Sequence, residues 1–96
     1  MAGYVLSRKS AEDLRHIAEY TFQRYGPEQA QSYGMGLEDC LNLLADNPGM
    51  GRDYAHIRPG IRRFDHERHA IFYLARGKDV LIVRVLHQRQ DARRWL

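Results

Sequence analysis

Cysteine is nearly absent: Cys40 stands alone in a chain of 96 residues, so no internal disulfide can form. Small secreted domains usually depend on several such cross-links, and the expected home of this chain is therefore the reducing cytoplasm. No run of ~18 apolar residues occurs, which leaves no membrane span to expect. The opening Met-Ala-Gly-Tyr-Val-Leu-Ser-Arg carries no apolar stretch of signal-peptide length. Metal chemistry is poorly supplied too. His66 and His69 have an H-x-x-H spacing, but a turn is expected between them, no third ligand stands near, and Cys40 is remote. Gly49-Met50-Gly51-Arg52 is too short for a phosphate loop and reads as a connection. Neither a repeat nor a low-complexity segment is visible. Neither a metal nor a cofactor is expected.

What is present describes one small folded unit. The length fits a single domain spanning residues 1–96. A chain this short has a thin core, to which a bound partner adds stability. Hydrophobic and charged contents of 44% and 28% belong to an ordinary globular chain. The charge is unevenly placed. Residues 1–48 hold four Lys/Arg against seven Asp/Glu, a net −3, whereas residues 49–96 hold eleven against five, a net +6. The second half is either a solvated basic face or a surface that meets an acidic partner.

The apolar spacing predicts an α+β fold. Tyr4-Val5-Leu6 reads as a short strand, and Ser10 as the N-cap of a helix with Glu12 and Asp13 in its first turn. Ala11, Leu14, Ile17, Ala18, Thr21, Phe22 and Tyr25 form the apolar stripe of that helix. Gly26-Pro27 closes it and opens a second, with Ala30, Tyr33, Leu37, Leu41 and Leu44 as its stripe and Asn47-Pro48-Gly49 as its stop. So short a link predicts an antiparallel helical hairpin. Met50 to Gly60 reads as a loop. Strands are expected at Ile61–Asp65, His69–Ala75 and Val80–Leu86, joined by turns at Glu67-Arg68 and Arg76-Gly77-Lys78-Asp79, with a last helical turn at Asp91–Leu96.

The last strand is apolar on both faces. Strict alternation sends Val80, Ile82 and Leu86 one way and Leu81, Val83 and Val85 the other. One hairpin covers one face. The second is either hemmed in by neighbours and termini or left open for a partner. Arg84 interrupts the apolar run and requires a carboxylate such as Asp65 or Asp91, or an opening to water. Alternation places Arg84 and His87 on opposite faces unless a bulge intervenes, which speaks against a tight catalytic pair. His87 alone could serve as acid or base. Cys40, among Leu37, Leu41 and Leu44, reads as a buried thiol rather than a nucleophile. Arg62, Arg63, Arg89, Arg93 and Arg94 make a basic patch beside Trp95, an Arg/Trp pairing frequent in interface hot spots.

These pieces resemble the ParE toxins of the RelE/ParE superfamily. The likeness is carried by Tyr4-Val5-Leu6-Ser7, Ala11…Asp13-Leu14…Ile17…Tyr20-Thr21, Tyr25-Gly26…Gln29-Ala30…Tyr33 and Leu44-Ala45…Asn47-Pro48-Gly49-Met50-Gly51-Arg52. It continues through Gly60-Ile61-Arg62-Arg63, Ile71-Phe72-Tyr73 and Arg84-Val85-Leu86-His87-Gln88-Arg89…Asp91, covering nearly the whole chain in order. The resemblance implies a helical hairpin on a small, mainly antiparallel sheet. It also implies a toxin that poisons DNA gyrase and so blocks replication. A ParD-like antitoxin, wrapping the toxin with its C-terminal segment, would neutralise it. Direct nucleic-acid contact is expected only through the antitoxin complex.

Arg62, Arg63, His87, Arg89, Arg93, Arg94 and Trp95 are then the candidate target-binding residues, and Leu81, Val83 and Val85 the candidate antitoxin-binding ones. The RelE branch instead cleaves messenger RNA on the ribosome. Arg63, Arg84 and His87 fall roughly where its catalytic residues would lie. However, Gln88 follows His87 where that branch often has tyrosine, and Lys9 and Lys78 are the only lysines. With no proton acceptor or charge clamp in evidence, the ParE branch is favoured and no catalysis is expected.

Overall fold

The computed structural model describes residues 3–96. Strand β1 (Tyr4–Leu6) leads directly into α1 (Arg8–Tyr25) and α2 (Pro27–Asp46). Then come β2 (Arg52–Asp53), β3 (Arg62–His66), β4 (His69–Arg76), β5 (Asp79–His87) and the single turn α3 (Ala92–Trp95). The strands form one sheet in the order β1-β5-β4-β3-β2, with β1 parallel to β5 and every other pairing antiparallel. The expected α+β architecture, a helical hairpin on a small mainly antiparallel sheet, is the one observed.

The N-cap of α1 is Ser7, three residues before the expected Ser10. The Ser7 hydroxyl accepts the Ser10 N–H at 3.0 Å and donates to the Val83 carbonyl at 2.8 Å, so one side chain starts the helix and ties it to the sheet. Ser10 is instead fully buried, donating to the Ser7 carbonyl. Glu12 and Asp13 therefore lie beyond the first turn, and Asp13 serves another purpose. The α1 stripe is narrower than its spacing suggested: Leu14, Ile17 and Thr21 face inward, while Phe22 and Tyr25 are exposed. Gly26 ends α1 and starts α2 at once. Its N–H bonds the Phe22 carbonyl, its carbonyl accepts from Ala30, and its φ of 93° suits glycine alone.

Leu37, Cys40, Leu41, Leu44 and Ala45 of α2 cover Ile71, Tyr73, Val80, Ile82 and Val85, forming the main core. The Met50–Gly60 connection is not purely loop. Arg52 and Asp53 pair with Arg63 and Arg62 as β2, and the Tyr73 hydroxyl anchors the approach to it. That phenol accepts the Gly51 N–H at 2.8 Å and donates to the Pro48 carbonyl at 2.7 Å.

A bulge overturns the simple face assignment in β5. Phe72 pairs with Arg84 but Tyr73 with Ile82, leaving Val83 as the extra residue. Val80, Ile82 and Val85 consequently face the helices, while Leu81, Val83, Arg84 and Leu86 belong to the second face. That face is not bare. Ile61, Ala70, Phe72, Leu86 and Ala92 form a second small core, flanked by Tyr54, Ile57 and Leu96. The 54–61 connection and α3 thus supply the cover that two helices could not, leaving Leu81 and Val83 only half-buried.

Candidate functional site

The sheet register lines up Arg63 on β3, Phe72 on β4 and Arg84 on β5 along one row of the second face. The Arg63 guanidinium lies 5.4 Å from the ring centres of both Tyr54 and Phe72. It donates to Asp65 at 2.8 Å and to the Tyr54 hydroxyl at 3.1 Å. Burial works to lower its pKa, but the hydrogen bond and charge of Asp65 outweigh it and the pKa rises. Arg62 reaches the Gly51 carbonyl with its guanidinium.

Arg84 is engaged more completely still. Its Nε and Nη2 grip the two carboxylate oxygens of Asp13, each at 2.8 Å, with only 13% and 11% of the two side chains exposed. This is the fork geometry that makes guanidinium–carboxylate pairs strong. Asp13 also accepts the Val85 N–H at 3.0 Å, satisfying a backbone donor beyond the point where β1 stops. The remaining Nη1 of Arg84 donates to the Trp95 carbonyl at 3.0 Å, and the guanidinium lies 5.8 Å from the Trp95 ring. The expected partners for Arg84 were Asp65 or Asp91. Asp65 instead holds Arg63, and Asp91 caps α3 by accepting the Arg93 N–H.

His87 is on the other face. It pairs in register with His69, against which its ring packs edge-on at 5.7 Å, on the helix side of the sheet. Its Nδ1 accepts the Arg89 N–H at 3.2 Å, so in the neutral ring Nε2 carries the hydrogen and the lone pair is already engaged. The sheet therefore separates His87 from Arg63 and Arg84. The three residues of the nuclease alternative do not converge on one surface.

His87 and His69 line a pocket of about 360 Å³ with His16, Ile17, Tyr20, Tyr25, Tyr33 and Arg68 among its other walls. The Tyr33 hydroxyl is 2.6 Å from His69 Nδ1, a contact whose donor depends on the imidazole tautomer, and 3.4 Å from the His66 carbonyl. Burial, then the charges of His87, His66 and Arg68, hold the His69 pKa down at about 4. Its ring is neutral at pH 7. Beside this pocket an apolar groove runs between α1, α2 and β1, lined by Leu6, Leu14, Ala18, Ala30, Gly34 and Leu37 among others.

The other expected residues divide clearly. Arg89, Arg93, Arg94 and Trp95 are exposed and gather at the C-terminal end, where Arg93 has only a distant approach, 3.8 Å, to Asp91. Leu81 and Val83 are half-buried on the second face, but Val85 is 2% exposed beneath the helices and offers a partner no surface. Cys40 is buried, and burial pushes its thiol pKa up, away from reactivity. Among the described residues, no three His, Cys, Asp or Glu side chains stand close enough to hold a metal ion. Sequence reasoning missed Asp13, Tyr33 and Tyr54. Asp13 and Arg84 are 71 positions apart, and no local pattern connects them.

A helical hairpin on one face of a mixed sheet, with its inner arginines held in ion pairs and its grooves and basic tail open, defines a small α+β module. Comparison with known proteins gives that module its family. Residues 4–92 match the model of the ParE toxin of type II toxin–antitoxin system, parDE. The chain is 42% identical over 96 residues to Toxin ParE1 of Caulobacter vibrioides, covering 100% of this chain and 99% of that protein. It is 35% identical over 92 residues to Toxin ParE of Escherichia coli, covering 95% and 89% of the two. A solved chain from the chromosomal ParDE TA system of P. aeruginosa superposes with a TM-score of 0.77 at 26% identity, covering 91% of this chain and 96% of that one. The chain belongs to the ParE toxin family of the ParDE type II toxin–antitoxin systems.

Proposed function

We propose that this toxin inhibits DNA gyrase by binding it, without catalysing a reaction, and that a ParD-like antitoxin neutralises it. The target and antitoxin follow the character of the family. The non-enzymatic part is carried by one observation: the sheet parts His87 from Arg63 and Arg84, and both arginines are committed to Asp65 and Asp13. In-line attack by a ribose hydroxyl needs a base and a charge clamp within reach of the same phosphate. Here the candidate base has its lone pair engaged and faces away from the candidate clamps.

The exposed Arg89, Arg93, Arg94 and Trp95 make the favoured contact surface for the target, since an aromatic ring among guanidiniums is a common anchor at interfaces. Arg62 and Arg63 contribute through the fold rather than by contact. The antitoxin covers Leu81, Val83 and the groove between α1, α2 and β1. An amphipathic helix laid in an apolar groove recognises it through side chains repeating at helical spacing. Among the described residues no helix is long and apolar enough to cross a membrane, and the cytoplasm is the compartment where gyrase is met.

The decisive experiment adds purified, folded toxin to gyrase and relaxed plasmid while following transcripts in parallel. Supercoiling is expected to stop while messenger RNA stays intact, and His87→Ala is expected to remain toxic. Normal supercoiling at saturating toxin removes the gyrase reading. Loss of toxicity in a folded His87→Ala protein, with cuts inside codons, restores the nuclease.

A further inference from the structure

The histidine-lined pocket takes no part in the function proposed above, yet it has the features of a ligand site. Its volume of about 360 Å³ falls within the ~300–1,000 Å³ typical of small-molecule sites, which combine aromatic walls with a few convergent polar groups. Tyr20 and Tyr25 stand at its rim with 58% and 48% of their surface exposed. Two large rings held in water beside a third, Tyr33, form an apolar surface that a ligand would cover.

Its polar lining includes the donors Arg68 and His69 together with one carboxylate, Glu67. In the tautomer in which Tyr33 donates to Nδ1, the hydrogen of His69 sits on Nε2, which has no hydrogen-bond partner among the described residues. Arg68 lies against Tyr25, its guanidinium 5.5 Å from the ring centre and 3.0 Å from the hydroxyl, and has no carboxylate partner among the described residues. The adjacent Glu67 turns instead to His66, 3.2 Å away. Arg24 approaches the same Tyr25 phenol. The rim thus sets Arg24 and Arg68 against the carboxylate of Glu67, an excess of one positive charge above aromatic walls.

We propose that this pocket binds a small planar aromatic carboxylate, its ring against Ile17, Tyr20 and Tyr33 and its carboxylate taken by Arg68 and the Nε2–H of His69. A planar ring packs offset or edge-on against tyrosine and histidine in a way that a branched aliphatic chain does not. One guanidinium fork matches one carboxylate, whereas a dianionic phosphate beside Glu67 would bring more negative charge than Arg68 and Arg24 can balance. The ligand class follows from the balance of the rim: two guanidiniums against the one carboxylate of Glu67 leave a single positive charge to be matched.

The test titrates the full chain with 4-hydroxyphenylacetate while following the histidine and tyrosine ring signals by NMR. Saturable shifts are expected at His69, His87, Tyr20 and Tyr33. Affinity is expected to fall about tenfold or more in Arg68→Gln, and by a comparable factor when the neutral 4-hydroxyphenylacetamide replaces the acid. Arg68 is exposed, so its replacement leaves the fold standing, and the exposed Arg76, outside the pocket lining, gives the charge control Arg76→Gln that binds unchanged. Shifts that never saturate, that map to other rings, or that persist at equal affinity in Arg68→Gln overturn the proposal. Gyrase inhibition enters none of these readouts, so this site and the toxin's target stand or fall separately.

Discussion

Asp13 does the work of three partners from one carboxylate. It neutralises Arg84, accepts the Val85 N–H and, through Arg84, steadies the Trp95 carbonyl. Removing one member of so well enclosed a pair leaves the other charge buried and unmatched. Asp13→Ala is therefore expected to destabilise the chain by about 3 kcal/mol in denaturant melts. Asp13→Ala combined with Arg84→Met is expected to recover much of that loss, because no stranded charge remains. A double variant no more stable than Asp13→Ala would show that the ion pair is not what the site depends on. The partner of Arg84 could not be read from the sequence. Its need for a carboxylate was legible, but Asp65, Asp91 and Asp13 are equivalent until the chain folds.

At the scale of elements, the hairpin depends on a single linking residue. Gly26 at φ 93° and ψ 175° occupies a region that other residues enter only under strain. Gly26→Ala is expected to lower stability by about 1–3 kcal/mol, read as a lower midpoint of thermal unfolding with secondary structure retained below it. An unchanged midpoint would mean that the helices can be joined in another geometry. The succession of the longer strands along the chain and the hairpin position were legible because alternation, turn glycines and helical spacing are local properties. The bulge at Val83 was not. Val80–Leu86 is apolar throughout, so no polar residue marks where its alternation slips, and only pairing with β4 fixes the point. The slip exchanged the faces of Val85 and Leu86, and with them the candidate antitoxin surface.

The whole molecule is two thin cores on either side of one sheet, and its stability has a pH signature. His69 has an ordinary pKa of 6.5 when unfolded and about 4 when folded, burial being the main cause. Between those values the unfolded chain holds the extra proton, so stability is complete above pH 6.5 and declines as pH falls toward 4. The full swing from this group would be roughly 3 kcal/mol without screening, and solvent at the partly exposed ring makes it smaller. Denaturant melts across that window should show the slope, and His69→Gln should flatten it; a slope of equal size in the variant would assign it to other groups.

By itself, the sequence determined the class of fold, the order of its elements, the basic second half and the family, because composition, periodicity and turn chemistry act between near neighbours in the chain. Tertiary structure alone decided that α3 and the 54–61 connection close the second face, that Asp13 claims Arg84, and that His87 turns away from both arginines. These are contacts across many tens of residues. They are set by sheet register and packing, which no local pattern encodes.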